Sequence, residues 1–140
     1  MSLNEEYIKV GSDIIRAAYN VRNTAGRGLR EIFYEAALEI ELTEMGHSVR
    51  RQVDVPAVYK GVVIEDSYRA DMVVDGRVII EVKALGQMKE AECRQLLTYL
   101  KLSRFKLGYL INFGAKEFRF GRISESLPYV NGIYRLVNNI

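Results

Sequence analysis

Asp71-Met72-Val73-Val74-Asp75-Gly76-Arg77-Val78-Ile79-Ile80-Glu81-Val82-Lys83 decides how the rest of the chain is read. Two apolar, β-branched runs flank an Asp-Gly pair, a strong short-range hairpin signal. Charges sit inside both runs, Asp71 in the first and Glu81 and Lys83 in the second. An isolated buried charge is very costly, so these side chains need partners. Glu81 and Lys83 are two apart and share a strand face. An acid, an acid and a lysine on one face can hold a divalent cation beside a phosphate. Whether Asp71 joins them depends on the turn. A two-residue Asp75-Gly76 loop sets Asp71 opposite Ile80, away from Glu81. A three-residue Val74-Asp75-Gly76 loop sets it opposite Ile79, on the face of Glu81 and Lys83. Gly76 supplies the left-handed residue that the longer loop needs at its end, so the three-residue loop with a bulge is expected.

Composition narrows the chemistry. The chain has 140 residues, 49% hydrophobic and 27% charged, as in an ordinary globular protein with one core. It reads as a single domain over 1–140, with a core of about 8–121 and a tail, 122–140, left unassigned. No long uncharged apolar run suggests a membrane span, and the N-terminus lacks a signal-peptide pattern; a cytoplasmic location is expected. The net charge of +2 permits an acidic partner without demanding one. One cysteine, Cys93, leaves no intrachain disulfide and no cysteine-built zinc or iron–sulfur site. One histidine, His47, argues against a histidine-rich metal site and is expected at the surface, just after Gly46. A metal here would be held by oxygen, which favours magnesium or manganese.

The flanking segments read as follows. Residues 5–22 have helical spacing, with Ile8, Ile15, Ala18 and Tyr19 on one stripe and Val10, Ile14 and Val21 widening it. Asn23 to Gly28 breaks it, and a second helix runs from about Leu29 to Met45 with Ile32, Phe33, Ala36, Ala37, Ile40 and Leu42 as apolar positions. Extended segments follow at Ser48 to Val55, Ala57 to Ile64, Tyr68 to Val74 and Arg77 to Ala84. A third helix covers Met88 to Ser103, a buried strand Phe105 to Phe113 and a short strand Glu117 to Phe120; Asn131-Gly132 marks a turn in the tail. Strands bracketed by helices imply an α/β sandwich around a mixed sheet, and the stretch from Lys83 to Phe105 is long enough for a parallel crossover.

With these elements in place the chain resembles the PD-(D/E)XK nuclease superfamily. Asp71 matches its first acid and Glu81-Val82-Lys83 its E-x-K, while Ala70 replaces the usual proline. Gln95-Leu96-Leu97-Thr98-Tyr99 matches the Q-x-x-x-Y motif of RecB-type members. Gly28-Leu29-Arg30-Glu31-Ile32-Phe33-Tyr34 matches G-x-x-E-x-x-Y, the string that names the GxxExxY proteins, though Arg27 stands where proline is expected. The resemblance implies a restriction-endonuclease-like α-β-β-β-α-β core, a central mixed sheet flanked by helices, with an extra N-terminal helix. It implies a metal-dependent nuclease, acting on DNA with magnesium or manganese. Asp71, Glu81 and the Val82 carbonyl would hold metal, with Glu31 completing the shell. Lys83 would touch the attacking water or a phosphate oxygen, and Gln95 and Tyr99, four apart on one helix face, would line the pocket.

Arg50, Arg51, Lys60 and Arg69 come from neighbouring strands and are candidates for a basic rim on a nucleic-acid backbone. Arg69, with the strand parity of Asp71, is the strongest of the four. A homodimer would lengthen such a groove, although the sequence offers no interface. The competing reading is a non-catalytic nucleic-acid- or partner-binding module that keeps the nuclease fold. Charge at a helix N-terminus also explains Glu31, and packing explains Tyr34.

Overall fold

The computed structural model describes residues 4–122 and 132–138. Helix α1 (Glu5–Ala25) starts on Asn4, whose side chain accepts the Tyr7 amide, and carries Glu5 and Glu6 in its first turn, where the helix dipole favours them. It buries Val10, Ile14, Ala17, Ala18 and Val21, whereas Ile8 is exposed. Helix α2 (Glu31–Glu44) follows. Beyond it come β1 (Val49–Asp54), β2 (Ala57–Tyr59), β3 (Val62–Ile64), β4 (Arg69–Val74), β5 (Val78–Lys83), α3 (Glu90–Ser103), β6 (Leu107–Asn112), β7 (Arg119–Arg122) and β8 (Gly132–Val137).

Six strands form one mixed sheet in the order β1-β4-β5-β6-β8-β7. Strand β5 pairs antiparallel with β4 and parallel with β6, so α3 is the crossover. Helices α1 and α2 cover one face over Met72, Val74, Val78, Ile80, Val82, Tyr109 and Ile111. Helix α3 covers the other over Val73, Ile79 and Leu110. The expected α-β-β-β-α-β core is α2, β1, β4, β5, α3 and β6, with α1 as the extra helix.

Three local expectations need correction. The stretch 57–64 is not one strand but a separate hairpin, β2–β3, turning at Lys60 and Gly61, both at positive φ. The tail holds β8, which inserts between β6 and β7; of the expected Asn131-Gly132 turn, Asn131 lies outside the described residues. Helix α2 turns the opposite face inward: Tyr34, Glu35, Leu38 and Leu42 are buried, while Ile32, Phe33 and Ile40 are exposed. Tyr34 explains the rotation. Its hydroxyl donates to the Gly26 carbonyl at 2.7 Å and accepts the Leu29 amide at 3.2 Å, closing the α1–α2 loop. Its ring stacks on Phe113 at 4.4 Å. The tyrosine of G-x-x-E-x-x-Y is thus a packing residue.

The β4–β5 loop has three residues, one position later than expected. The last pair is Val74↔Val78, the Arg77 amide donates to the Val74 carbonyl at 3.0 Å, and Asp75 and Gly76 both have positive φ. The shift preserves parity. Carried past Met72↔Ile80, the register sets Asp71 opposite Glu81 in place of Ile79.

His47 is not at the surface. Its side chain is 7% exposed, with Nδ1 2.6 Å from Asp75 Oδ2 and Nε2 2.7 Å from Asp13 Oδ2. Burial lowers its pKa, but the two carboxylates outweigh burial and leave it raised. Burial raises Asp13, but His47 and Lys9 outweigh it and leave Asp13 lowered. The imidazolium's contribution to stability is complete below the ordinary histidine value of 6.5 and is lost as pH rises through the higher folded value. The Asp13 contribution is complete above 3.8 and is lost on acidification. Urea unfolding of wild type and His47→Gln should therefore differ most between about pH 4 and 6.5 and converge as pH rises. A constant difference would mean that His47 stays neutral.

After β6 the chain passes close to the segment that follows β5. Asn112 Oδ1 accepts the amides of Leu85 (2.8 Å) and Gly114 (3.1 Å), and its amide nitrogen donates to the Leu85 carbonyl at 3.1 Å. A Cβ on Gly114 would sit 2.7 Å from the Leu85 nitrogen and 2.8 Å from the Ala84 carbonyl carbon, both backbone atoms. Gly114→Ala should cost about 1–3 kcal/mol, read as a lower urea midpoint at unchanged slope.

Candidate active site

The β4–β5 ladder ends at Met72↔Ile80, and side chains replace it beyond that pair. Asp71 Oδ2 accepts the Val82 amide at 2.8 Å, and Glu81 Oε1 accepts the Asp71 amide at 3.3 Å. Two backbone donors at the end of the ladder are taken by the two acids. The sequence pattern put Asp71 and Glu81 on one face, and the structure brings them together.

Glu81 sits in a cleft lined by Tyr68, Lys83, Glu92, Gln95, Leu96 and Leu110. Its volume of about 20 Å³ is enough for a water molecule or a small ion. Leu96 from α3 and Leu110 from β6 form its apolar side. Burial pushes the Glu81 carboxyl up to about 8, and the negative charge of Asp71 adds to this; the Tyr68 hydroxyl, which donates to Oε1, works against it. A carboxylate desolvated beside another carboxylate carries excess negative potential, which a cation relieves.

Among the described residues the Lys83 ammonium and the Gln95 amide make no hydrogen bond, while the Asp71 and Glu81 carboxyls lie within hydrogen-bonding reach of each other. In an extended strand a residue's N–H and C=O point to the same side, so the Val82 carbonyl projects toward β4 as its amide does. Two carboxylate oxygens and a carbonyl fit a hard cation that keeps several waters, as magnesium does. Among the described residues no group of three or more His, Cys, Asp or Glu side chains is gathered for a metal.

Glu31 is accordingly not delivered to the site. It lies exposed on the first turn of α2, on the opposite face of the sheet, where its charge suits the helix N-terminus. Gln95 lines the cleft, but Tyr99 stands behind it: its hydroxyl donates to the Ser67 carbonyl at 3.1 Å and its ring stacks on Tyr68 at 4.0 Å. Arg51 is withdrawn from the basic rim, bound to Glu35 at 2.9 Å and Glu39 at 3.5 Å on the α2 side. Arg69 pairs with Asp54 at 3.2 Å, both exposed, a contact of little energy. Arg50 and Lys60 are exposed, the latter with Nζ 5.6 Å from the Tyr59 ring. Burial pushes the Cys93 thiol up to about 11, in keeping with a packing role.

Sequence reasoning missed Tyr68 and Glu92. Tyr68 precedes the strand and meets Tyr99 across 31 positions, so no local pattern marks it. Glu92 was readable as a helix first-turn acid, and its carboxylate does accept the Lys89 amide at 3.3 Å.

A family model of the PD-(D/E)XK nuclease superfamily matches residues 8–123. The chain belongs to that superfamily. Its members generally use divalent metal ions, and the mixed sheet between helices is consistent with the restriction-endonuclease-like fold. Comparisons with curated proteins and with solved structures gave no significant match.

For this PD-(D/E)XK chain the raised Glu81 value has a thermodynamic consequence. The folded state holds the proton more tightly than the unfolded chain does, so the stabilisation is complete below 4.5 and is lost as pH rises to about 8. Glu81→Gln retains an acceptor for Tyr68 and removes the charge. It should be more stable than wild type by about 1–3 kcal/mol at pH 9 and closer to it at pH 5, measured by urea unfolding. The same difference at both pH values would place Glu81 near its ordinary range.

Proposed function

We propose that this chain is a metal-dependent phosphodiesterase that hydrolyses nucleic acid, with DNA as its substrate, and that within its superfamily it groups with the GxxExxY proteins. The observation that carries the reading is the pair of Asp71 and Glu81 carboxyls brought against each other at the end of the ladder, beside an uncommitted Lys83. Asp71 Oδ1, Glu81 Oε2 and the Val82 carbonyl would hold magnesium or manganese. A bound divalent cation supplies a lowered pKa for its water and a counter-charge for the phosphate.

The remaining roles belong to side chains. Lys83 contacts a non-bridging phosphate oxygen or fixes the attacking water. Water adds to phosphorus as the opposite P–O bond breaks, and the leaving oxygen takes a proton. Gln95 hydrogen-bonds the phosphate or a base edge. Tyr68 holds Glu81, and Tyr99 holds Tyr68. Arg50, Lys60 and Arg69 meet the backbone outside the cleft, and the binding they provide weakens with salt.

Single- and double-stranded DNA incubated with the full chain and magnesium or manganese should be cleaved, and chelation should stop it. Asp71→Ala and Lys83→Ala should each lower the rate by at least about a hundredfold. Equal rates in wild type and both variants would expose a contaminant. Salt-dependent binding without cleavage under either metal would favour a non-catalytic binding module.

A further inference from the structure

Helix α2 is apolar on two sides. Its inner side packs under the sheet through Tyr34, Leu38 and Leu42. Its outer side carries Ile32, Phe33 and Ile40, exposed by 64%, 46% and 60%. At 3.6 residues per turn these three and Ala36 fall on one stripe about 100° wide, opposite the buried side. Scattered surface apolar groups need no explanation, but a continuous helical stripe marks an interaction surface.

We propose that this stripe is the surface through which two copies of the chain associate, with their α2 helices packed antiparallel about a two-fold axis at Ala36. The stripe is self-complementary about that residue. Ile32 and Ile40 lie four positions to either side of it, so each meets the other in the second copy. Ala36 at the crossing leaves room for two helices to approach within the usual 8–10 Å.

The charges have the same centre. Arg30 is the N-cap residue of α2 and Glu44 ends it; both are exposed and neither has an ion pair among the described residues. Their midpoint is one residue from Ala36, so antiparallel packing sets Arg30 of each copy near Glu44 of the other. The other acids of the helix's second half are already engaged within the chain. Glu39 binds Arg51 at 3.5 Å, and Glu41 accepts from Asn20 at 2.8 Å. Antiparallel helices also set opposite dipole ends together. Because α2 covers the sheet face away from the cleft, both clefts remain open. The association stands whether or not the site is catalytic.

Sedimentation velocity of the full chain over a concentration series provides the test. Wild type should be a dimer that dissociates on dilution. Ile40→Glu should weaken association by about tenfold or more, as truncation of a central contact does. Arg30→Glu and Glu44→Arg should each weaken it by setting like charges together, and the double variant R30E/E44R should restore it. All three positions are exposed, so circular dichroism and the urea midpoint should stay near wild type. A monomer at every concentration, or a dimer insensitive to Ile40→Glu, overturns the proposal. Weakening without rescue by the double variant overturns the antiparallel register.

Discussion

The reciprocal bonding of Asp71 and Glu81 organises this molecule. Backbone donors inside a sheet must be satisfied, because an orphaned buried amide costs about 1–3 kcal/mol. Where β4 and β5 part, the Val82 amide goes to the Asp71 carboxylate and the Asp71 amide to the Glu81 carboxylate. The strands can therefore open without leaving polar groups bare. Each acid spends one oxygen on the backbone, and the two carboxyls face each other.

That arrangement needs support from the α3 side. Glu81 is desolvated by Leu96 and Leu110, and the Tyr68 hydroxyl bonds the oxygen that also takes the Asp71 amide. Tyr68 is held in turn by its stack on Tyr99, and Tyr99 by the Ser67 carbonyl. Ser67 also accepts the Ala57 amide through its hydroxyl, which ties the base of the β2–β3 hairpin to the same scaffold. One turn of α3 thus does two jobs: Gln95 reaches the cleft, and Tyr99 fixes the residue that orients Glu81.

The fold was legible where charges interrupt an apolar pattern. Charges placed inside β-branched runs marked Asp71, Glu81 and Lys83, and face parity survived even though the loop was misplaced by one residue, because a three-residue loop preserves it from either start. Legibility failed where selection among apolar faces depends on distant partners. Helix α2 has more apolar positions than one face can bury, and it is Tyr34, seated on Gly26, Leu29 and Phe113, that chooses the inner side. Glu31 fell to the same cause, since its motif spacing is real but its helix lies behind the sheet. Strand β8 escaped notice because its partner β6 precedes it by some 25 residues.

The hairpin holds a second aspartate whose task is the opposite of Asp71's. At the turn, Asp75 accepts the Ser48 amide at 2.8 Å and faces His47, which in turn reaches Asp13 on α1. The Asp75 amide donates to the Ser48 carbonyl at 2.8 Å, closing the exchange. The turn end of β4–β5 is thereby fastened both to the segment entering β1 and to α1. The strands can diverge at the far end, near Asp71, without loosening the near end. A strand pair pinned at the turn and parted at the mouth is a rigid way to present two carboxylates, because the opening angle is fixed by contacts outside the site. The buried histidine therefore serves the acids from the other end of the hairpin, and its charge state bears on the stability of the frame before it bears on chemistry.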